Sequence, residues 1–352
     1  MANLSNWRVY PHNQWSFINV DKVLKTRTIQ RSTTPHPLPS APLPLETSFH
    51  IRVDNDILDL SAYIKTSSTD GLIVLKQGKI VYEKYANGGS ATSKNIMMSV
   101  TKSVMGLLAG ILVDRGELDP ADLVTKHVPE VSQAFRNVMI RQLLDMRSGV
   151  VYNDNDPVYQ YAAGWKRYEG KPFRNVRDFL SKFGPERVED ERFEFTGVNT
   201  EILGWVMERA IGHGKTIAQL LQELFWQPMG AESDALMTID ESGNTRAASG
   251  LCATLRDIAR VGQLVADGGR GIVSREWLRD MTKGDKEAFA KSKWPELCML
   301  FVDPVNDIVV ARSGSQSKPL DYGKIHLTFV AWKEIRRVLL SQNLGAPRES
   351  RL

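Results

Sequence analysis

The chain has 352 residues, of which 42% are hydrophobic and 24% are charged, and its formal net charge is +4. This length is enough to bury a full core, either as one large domain or as two closely packed lobes. Acidic and basic residues are interspersed along the chain, so the small excess of positive charge predicts neither a nucleic-acid partner nor a membrane partner.

Localisation and cofactor content follow from what is scarce in the sequence. The first residues lack a basic segment followed by an apolar run, and no stretch reaches the length of a membrane span. Cys252 and Cys298 both lie among apolar neighbours, which favours two buried thiols in a reducing compartment over a single disulfide. The six histidines show no metal-ligand spacing. We therefore expect a cytoplasmic protein without a metal or other cofactor.

The first half of the chain begins with an irregular segment. Residues 1–47 show little periodicity and carry five prolines between positions 33 and 45, which predicts an extended arm that packs on or beside the body. Residues 72–75 and 80–85 are apolar runs separated by a Gln-Gly-Lys turn, and this pattern predicts a β-hairpin.

The middle of the chain has helical patterns and the end has strands again. Capping signals at Thr216 and Thr254 each open an apolar helix, and residues 200–211 form another that stops at a glycine. A second hairpin is predicted over 300–311, followed by a helix over 326–341.

Strands at both ends with helices between them predict an α+β fold, in which an antiparallel sheet from both chain ends is flanked by helices and carries an inserted all-helical lobe. We expect a single domain over 48–345. Its sheet lobe would take about 48–95 and 296–345, and its helical lobe about 96–295. A site is expected in the cleft between the lobes.

One segment combines a nucleophile with a base. Ser99 is followed by Val100, Thr101 and Lys102, and the segment continues to residue 112 as a helix that is apolar nearly all round. Residues three apart share a helix face, so the Ser99 hydroxyl and the Lys102 amine can meet. From spacing alone, a lysine that reaches the surface and pairs with a carboxylate stays an open alternative.

The chemistry of a serine nucleophile fits this arrangement. A hydroxyl becomes reactive when a base takes its proton, and a lysine can be that base when burial lowers its pKa. A serine at the first turn of a helix also points its backbone N–H toward the helix start, where it can donate to an oxyanion.

The Ser-Val-Thr-Lys segment resembles the serine–lysine motif of class C β-lactamases, penicillin-binding proteins and related esterases. Three further segments, at 143–150, 198–205 and 250–262, are similar to the 6-aminohexanoate-dimer hydrolase branch of that superfamily. The similarity spans about residues 5–340. It implies a β-lactamase-like fold and the cleavage of short amides and esters.

The sequence departs from that family at its two other motifs. Phe195 occupies the position of a tyrosine that assists proton transfer, and Gly197 the polar position two residues later. A phenyl ring can neither donate nor accept the proton. Three tyrosines in the preceding loop, Tyr152, Tyr159 and Tyr161, are alternative sources of a phenol. The third motif, a His-Gly or Lys-Thr-Gly strand, is expected just before Leu300 and is absent there.

These observations predict a serine hydrolase that acts on small carboxylic amides or esters through an acyl-Ser99 intermediate, with Lys102 as the base. The alternative is an impaired or inactive family member that keeps the fold and can still bind a ligand. The only partner predicted is a small-molecule substrate, and the sequence leaves the oligomeric state open.

Overall fold

The computed structural model describes residues 1–170, 172–184, 193–284, 287, 299–316 and 321–342. The strands of this part of the chain are β1 Thr26–Ile29, β2 His50–Val53, β3 Asp56–Asp59, β4 Thr69–Lys76, β5 Lys79–Tyr85, β6 Asn95–Ile96, β7 Ala235–Thr238, β8 Leu251–Ala253, β9 Leu300–Asp303 and β10 Ile308–Gly314. The helices are α1 His12–Ser16, α2 Leu45–Ser48, α3 Leu60–Thr66, α4 Val100–Asp114, α5 Val124–His127, α6 Ile140–Leu144, α7 Pro157–Ala162, α8 Val176–Lys182, α9 Gly197–Ile211, α10 Ile217–Leu221, α11 Leu255–Ala266, α12 Arg275–Lys283 and α13 Tyr322–Ser341.

The main sheet joins both ends of the chain in the order β5–β4–β10–β9, and all its described pairings are antiparallel. Both predicted hairpins are present in it. Every residue of β4 is buried because its two faces meet different layers. Leu72 and Val74 pack with α13, whereas Ile73 and Leu75 pack with α4 and α11. The period-two alternation of a strand therefore places this apolar run between two cores.

A second sheet has the order β1–β7–β8–β6. Two of its strands, β7 and β8, come from the middle of the chain, where the sequence predicts an all-helical lobe. They have four and three residues, too short to show an alternation that could be distinguished from the flanking helices. The predicted α+β class is confirmed, with this second sheet as an addition to it.

The sequence predicts an extended arm over residues 1–47, but these residues are not extended throughout. They contain α1, a short 3₁₀ helix at Val20–Lys22 and β1, which pairs with β7 over Thr26–Ile29. The pairing was invisible in the sequence because the partner strand lies more than 200 residues away. The proline-rich part does follow the predicted irregular path, and it hydrogen bonds along β5 through Pro39, Ala41 and Leu43. The division of the chain near residue 47 and the limits of the lobes remain predictions.

Helix α4 runs through the centre of the larger core and has its first turn at the surface of a cleft. Its side chains Val104, Met105, Leu108 and Leu112 are completely buried. A helix whose central turns are packed on all sides cannot rotate to relieve strain, so it fixes the position of the residues at its N-terminus. In the described part of the chain, no helix combines the length and apolar character needed to cross a membrane.

Candidate active site

Ser99 is the N-terminal capping residue of α4, and Lys102 lies one turn further along the helix. The Lys102 Nζ donates a hydrogen bond of 3.1 Å to the Ser99 Oγ. Met98, just before the serine, has a positive φ of 45°, a backbone conformation that is costly for a residue with a long side chain. Helix α4 thus holds the Ser99 hydroxyl and the Lys102 amine in contact, as the sequence predicted.

The Lys102 amine has two further neighbours. Its Nζ donates to the Ala248 carbonyl oxygen at 3.0 Å and stands 4.8 Å from the centre of the Phe195 ring. Burial lowers the pKa of Lys102 to about 8, and the positive charge of Arg246 adds to this, while Asp154 and Glu201 oppose it. An amine with this pKa is partly neutral near physiological pH, so it can accept a proton from the serine.

Glu201 of α9 positions the segment that holds Lys102. Its carboxylate accepts hydrogen bonds from the backbone N–H groups of Ala247 and Ala248, at 3.0 and 3.1 Å. It also forms a 2.8 Å ion pair with Arg246, and both side chains are almost completely buried. A buried carboxylate needs such a full set of donors to remain charged. As a result, the carbonyl that accepts from Lys102 lies on a rigid support.

Asp154 occupies the space that a side chain at position 197 would need. The Gly197 backbone N–H donates to the two Asp154 oxygens at 2.7 and 2.9 Å. A Cβ at 197 would lie 2.8 Å from Asp154 Oδ2 and 2.9 Å from the Tyr159 hydroxyl. Glycine is therefore required here by the close approach of the carboxylate. The polar group missing from this motif is replaced by one from another loop.

Ser99, Lys102 and Asp154 line a cleft with a volume of about 910 Å³. Its walls come from the N-terminal segment, the start of α4, the loop before α7 and the end of β10, including Arg8, Ser99, Lys102, Arg141, Asp154, Trp165, Phe195, Arg246, Trp277, Met299, Arg312 and Gln316. A cleft of this size accommodates a small organic molecule rather than a protein segment.

Residues 66–295 match the family model described as Beta-lactamase. The 6-aminohexanoate-dimer hydrolase of Paenarthrobacter ureafaciens is 30% identical over 297 residues, which cover 80% of this chain and 72% of the relative. The chain belongs to the β-lactamase family. Within it, the chain is related to 6-aminohexanoate-dimer hydrolase, as the resemblance implied.

Solved structures confirm the β-lactamase-like fold. A Bacillus anthracis protein assigned as a 6-aminohexanoate-dimer hydrolase superposes with a TM-score of 0.85 at 22% identity, over 96% of this chain and 97% of its own. A family VIII carboxylesterase superposes with a TM-score of 0.55 at 18% identity, over 78% of this chain and 95% of its own. At these identities the superpositions show the shared β-lactamase-like architecture.

The structure brings together Ser99, Lys102 and Phe195, the three positions that the sequence singled out. Of the alternative tyrosines, Tyr152 lines the cleft, and the Tyr161 ring packs at a tilt against Tyr168. The Tyr159 hydroxyl lies 3.4 Å from Glu201 in the buried ion-pair cluster, and the Tyr152 ring packs edge-on against Phe183. The absence of a third motif was predicted just before Leu300, and residues 288–298 lie outside the described residues.

Sequence reasoning missed three charged members of the site, namely Asp154, Glu201 and Arg246. Glu201 had a weak signal, because it is a charged residue directly before the apolar run at 202–207. Asp154 had none, since its role depends on a contact between its loop and Gly197, 43 positions away.

Proposed function

We propose that this β-lactamase-family protein is a serine hydrolase that cleaves small carboxylic amides or esters through an acyl-Ser99 intermediate. The observation that carries the proposal is the 3.1 Å hydrogen bond between Lys102 Nζ and Ser99 Oγ, together with the lowered pKa of that lysine. A nucleophile and a base within hydrogen-bond distance, on a rigid helix and in an open cleft, are the elements that acyl transfer needs.

In the first half of the reaction, neutral Lys102 accepts the Ser99 proton as Oγ bonds to the substrate carbonyl carbon. The bond from that carbon to the leaving oxygen or nitrogen then breaks, and the leaving group takes the proton from the Lys102 ammonium. In the second half, Lys102 accepts a proton from water, whose oxygen attacks the acyl carbon. The released serine oxygen regains the proton and the carboxylic acid leaves. The Ser99 backbone N–H is proposed as one oxyanion donor.

Phe195 and its neighbours favour esters over amides. A phenyl ring next to the Lys102 ammonium cannot pass a proton to a leaving amine, whereas an alcohol or phenol leaves from an ester with less help. The 6-aminohexanoate dimer, for which the Paenarthrobacter relative is named, is the compound to compare with the esters.

A fluorophosphonate probe and p-nitrophenyl acetate test the proposal directly. We expect the wild-type protein to be labelled and to release p-nitrophenolate, and Ser99→Ala to do neither. Ser103→Ala is the matched control, because Ser103 lines the same cleft one residue after Lys102. Labelling that survives in Ser99→Ala would overturn the proposal. A wild-type protein that neither labels nor hydrolyses any ester would be the inactive family member that the sequence left as the alternative.

A cytoplasmic location is part of the proposal and rests on the burial of the Cys252 thiol among apolar residues. Cell fractionation with an antibody to the native protein would test it, and recovery in an extracellular or membrane fraction would contradict it.

A further inference from the structure

Arg8 reaches the cleft from the N-terminal segment, and its neighbour Trp7 fixes it there. Trp7 is 2% exposed, packs edge-on against Trp165 and donates its indole N–H to the Trp165 carbonyl oxygen at 3.0 Å. Its own carbonyl accepts from Ser16 Oγ. The backbone before Arg8 is therefore held on both sides, and its side chain is directed over the Trp165 ring, 5.6 Å from the ring centre.

The other cations of the cleft already have partners in the described part of the chain. Arg141 forms ion pairs with Asp145 and Asp280, Arg246 pairs with Glu201, Arg312 donates to Thr69 Oγ1 and the Ser67 carbonyl, and Lys102 donates to Ser99 and Ala248. Arg8 differs from all of these. Its polar contact among the described residues is a long hydrogen bond of 3.4 Å to the Asn155 side-chain oxygen, and no described carboxylate forms an ion pair with it.

The surroundings of Arg8 make its charge costly to leave alone. Burial lowers its pKa to about 10, and the charge of Arg246 contributes in the same direction. The guanidinium is still positive at neutral pH, but it has lost much of its water. Asp154 is the acid that offsets this in part, yet both of its oxygens accept the Gly197 N–H. A planar guanidinium in this situation is a strong site for an incoming carboxylate, which it can bind through two hydrogen bonds.

We propose that Arg8 is the anion-binding residue of this cleft and selects substrates that carry a carboxylate remote from the bond to be cleaved. The Trp165 ring beside it gives the hydrocarbon chain of such a substrate an apolar surface, and Asn155 supplies an additional polar side chain. Selection among turned-over substrates rests on the proposed hydrolase function, whereas the binding of the anion does not.

Selection is measured on three pairs of esters, two on the acyl side and one on the leaving-group side. For the acyl side, the p-nitrophenyl monoesters of adipic and suberic acid are compared with the same compounds capped as methyl esters. For the leaving-group side, the butyryl ester of p-hydroxybenzoate is compared with that of its methyl ester. We expect Arg8→Gln to reduce kcat/KM for the carboxylate member of at least one pair by about tenfold or more, mainly through KM, and to leave its neutral partner nearly unchanged.

Two control variants distinguish the effect of the guanidinium at position 8 from the effect of losing any positive charge. Arg8→Lys keeps the charge without the planar fork, so it should recover part of the selection. Arg52→Gln removes the same charge from an exposed position of strand β2, outside the cleft, and should leave all three ratios unchanged. If Arg8→Gln changes the carboxylate and neutral members of each pair equally, the proposal is wrong.

A binding measurement keeps this result separate from the proposed hydrolase function. Adipate and its neutral diamide are titrated calorimetrically into the Ser99→Ala protein and into the Ser99→Ala, Arg8→Gln double variant. We expect adipate to bind the first more tightly than the diamide does, and to lose that advantage in the second. Equal binding of adipate to both proteins would overturn the role of Arg8, whether or not the wild-type protein hydrolyses esters.

Discussion

At the scale of single residues, the Phe195 ring and the burial of Lys102 have opposite effects on the protonation of the Lys102 amine. The Phe195 ring faces the Lys102 ammonium at 4.8 Å, a contact that favours the charged amine. Burial favours the neutral amine and is the largest cause of the lowering of the pKa of Lys102 to about 8. The ring therefore moderates the base without supplying a proton of its own.

Replacing that ring by a phenol should improve the enzyme. We expect Phe195→Tyr to raise kcat for p-nitrophenyl acetate by at least about tenfold, because a hydroxyl near Lys102 and Ser99 can share the proton transfer. Steady-state kinetics of the purified variant would measure this. Phe193→Tyr is the control, since Phe193 lines the same cleft two residues earlier. An unchanged rate in Phe195→Tyr would show that the phenol does not reach the reacting groups.

The lowered pKa of Lys102 predicts the pH profile. In the proposed mechanism the base is the neutral amine, whose fraction increases as the pH rises through about 8. The value of kcat/KM should therefore climb tenfold per pH unit below that point and level off above it. Initial rates on a neutral ester, corrected for hydroxide-catalysed hydrolysis, would give the curve. A profile that is flat or that falls between pH 7 and 9 would exclude Lys102 as the base.

At the scale of elements, α4 depends on close contact with α12. The Trp277 indole of α12 lies against Gly110 and donates its N–H to the Gly106 carbonyl oxygen at 3.0 Å. A Cβ at Gly110 would overlap the indole ring, whereas one at Gly106 would meet only the flexible end of Met281, at 3.3 Å. The close packing of the Trp277 indole on α4 therefore depends on the missing side chain of Gly110.

This difference predicts opposite effects for two substitutions on the same helix. Gly110→Ala should lower the free energy of unfolding by about 1–3 kcal/mol, because the indole must move out of a packed core. Gly106→Ala should leave it unchanged or raise it by up to about 1 kcal/mol, since alanine favours the helix. Urea denaturation of both variants, followed by circular dichroism, compares them. Equal stability of the two would contradict the packing argument.

The elements that were predictable from the sequence are those whose signals are local. Each hairpin of the main sheet has two apolar runs and a turn within a few residues, and α4 shows its burial through its composition. The second sheet gave no such signal, because β7 and β8 are short and β1 meets its partner across most of the chain. In the site, the Ser99–Lys102 pair followed from helical spacing, whereas Asp154 and Arg8 reach it through loops whose paths no local pattern records.

At the scale of the whole molecule, the N-terminal segment closes one end of the cleft through a small core of its own. Trp7, Val20, Leu24 and Trp165 pack together with Cys252 of β8. This core joins the first residues to the second sheet and to the loop that carries Trp165. A segment that the sequence indicated as a packing element is in this way also part of the wall of the cleft.

Two tryptophans of that segment provide a matched test. Trp7→Ala should lower the free energy of unfolding by about 3 kcal/mol or more, because it removes a fully buried ring and leaves a cavity. Trp15 is 46% exposed, so Trp15→Ala should change it by no more than about 0.5 kcal/mol. Chemical denaturation would measure both. A small effect in Trp7→Ala would mean that the segment is not held by this ring.

The pairing of β1 with β7 has a consequence for how the chain is made. Ribosomes deliver β1 early, but Thr26 can find Thr238 only after more than 200 further residues have been synthesised. Until then β1 lacks its strand partner β7, and the core around Trp7 and Val20 lacks Cys252. Pairing between strands so far apart in the sequence is slow, and until it occurs an unpaired strand edge and apolar surface stay exposed. Chaperone supply and expression temperature should therefore influence the yield of folded protein more than its final stability would suggest.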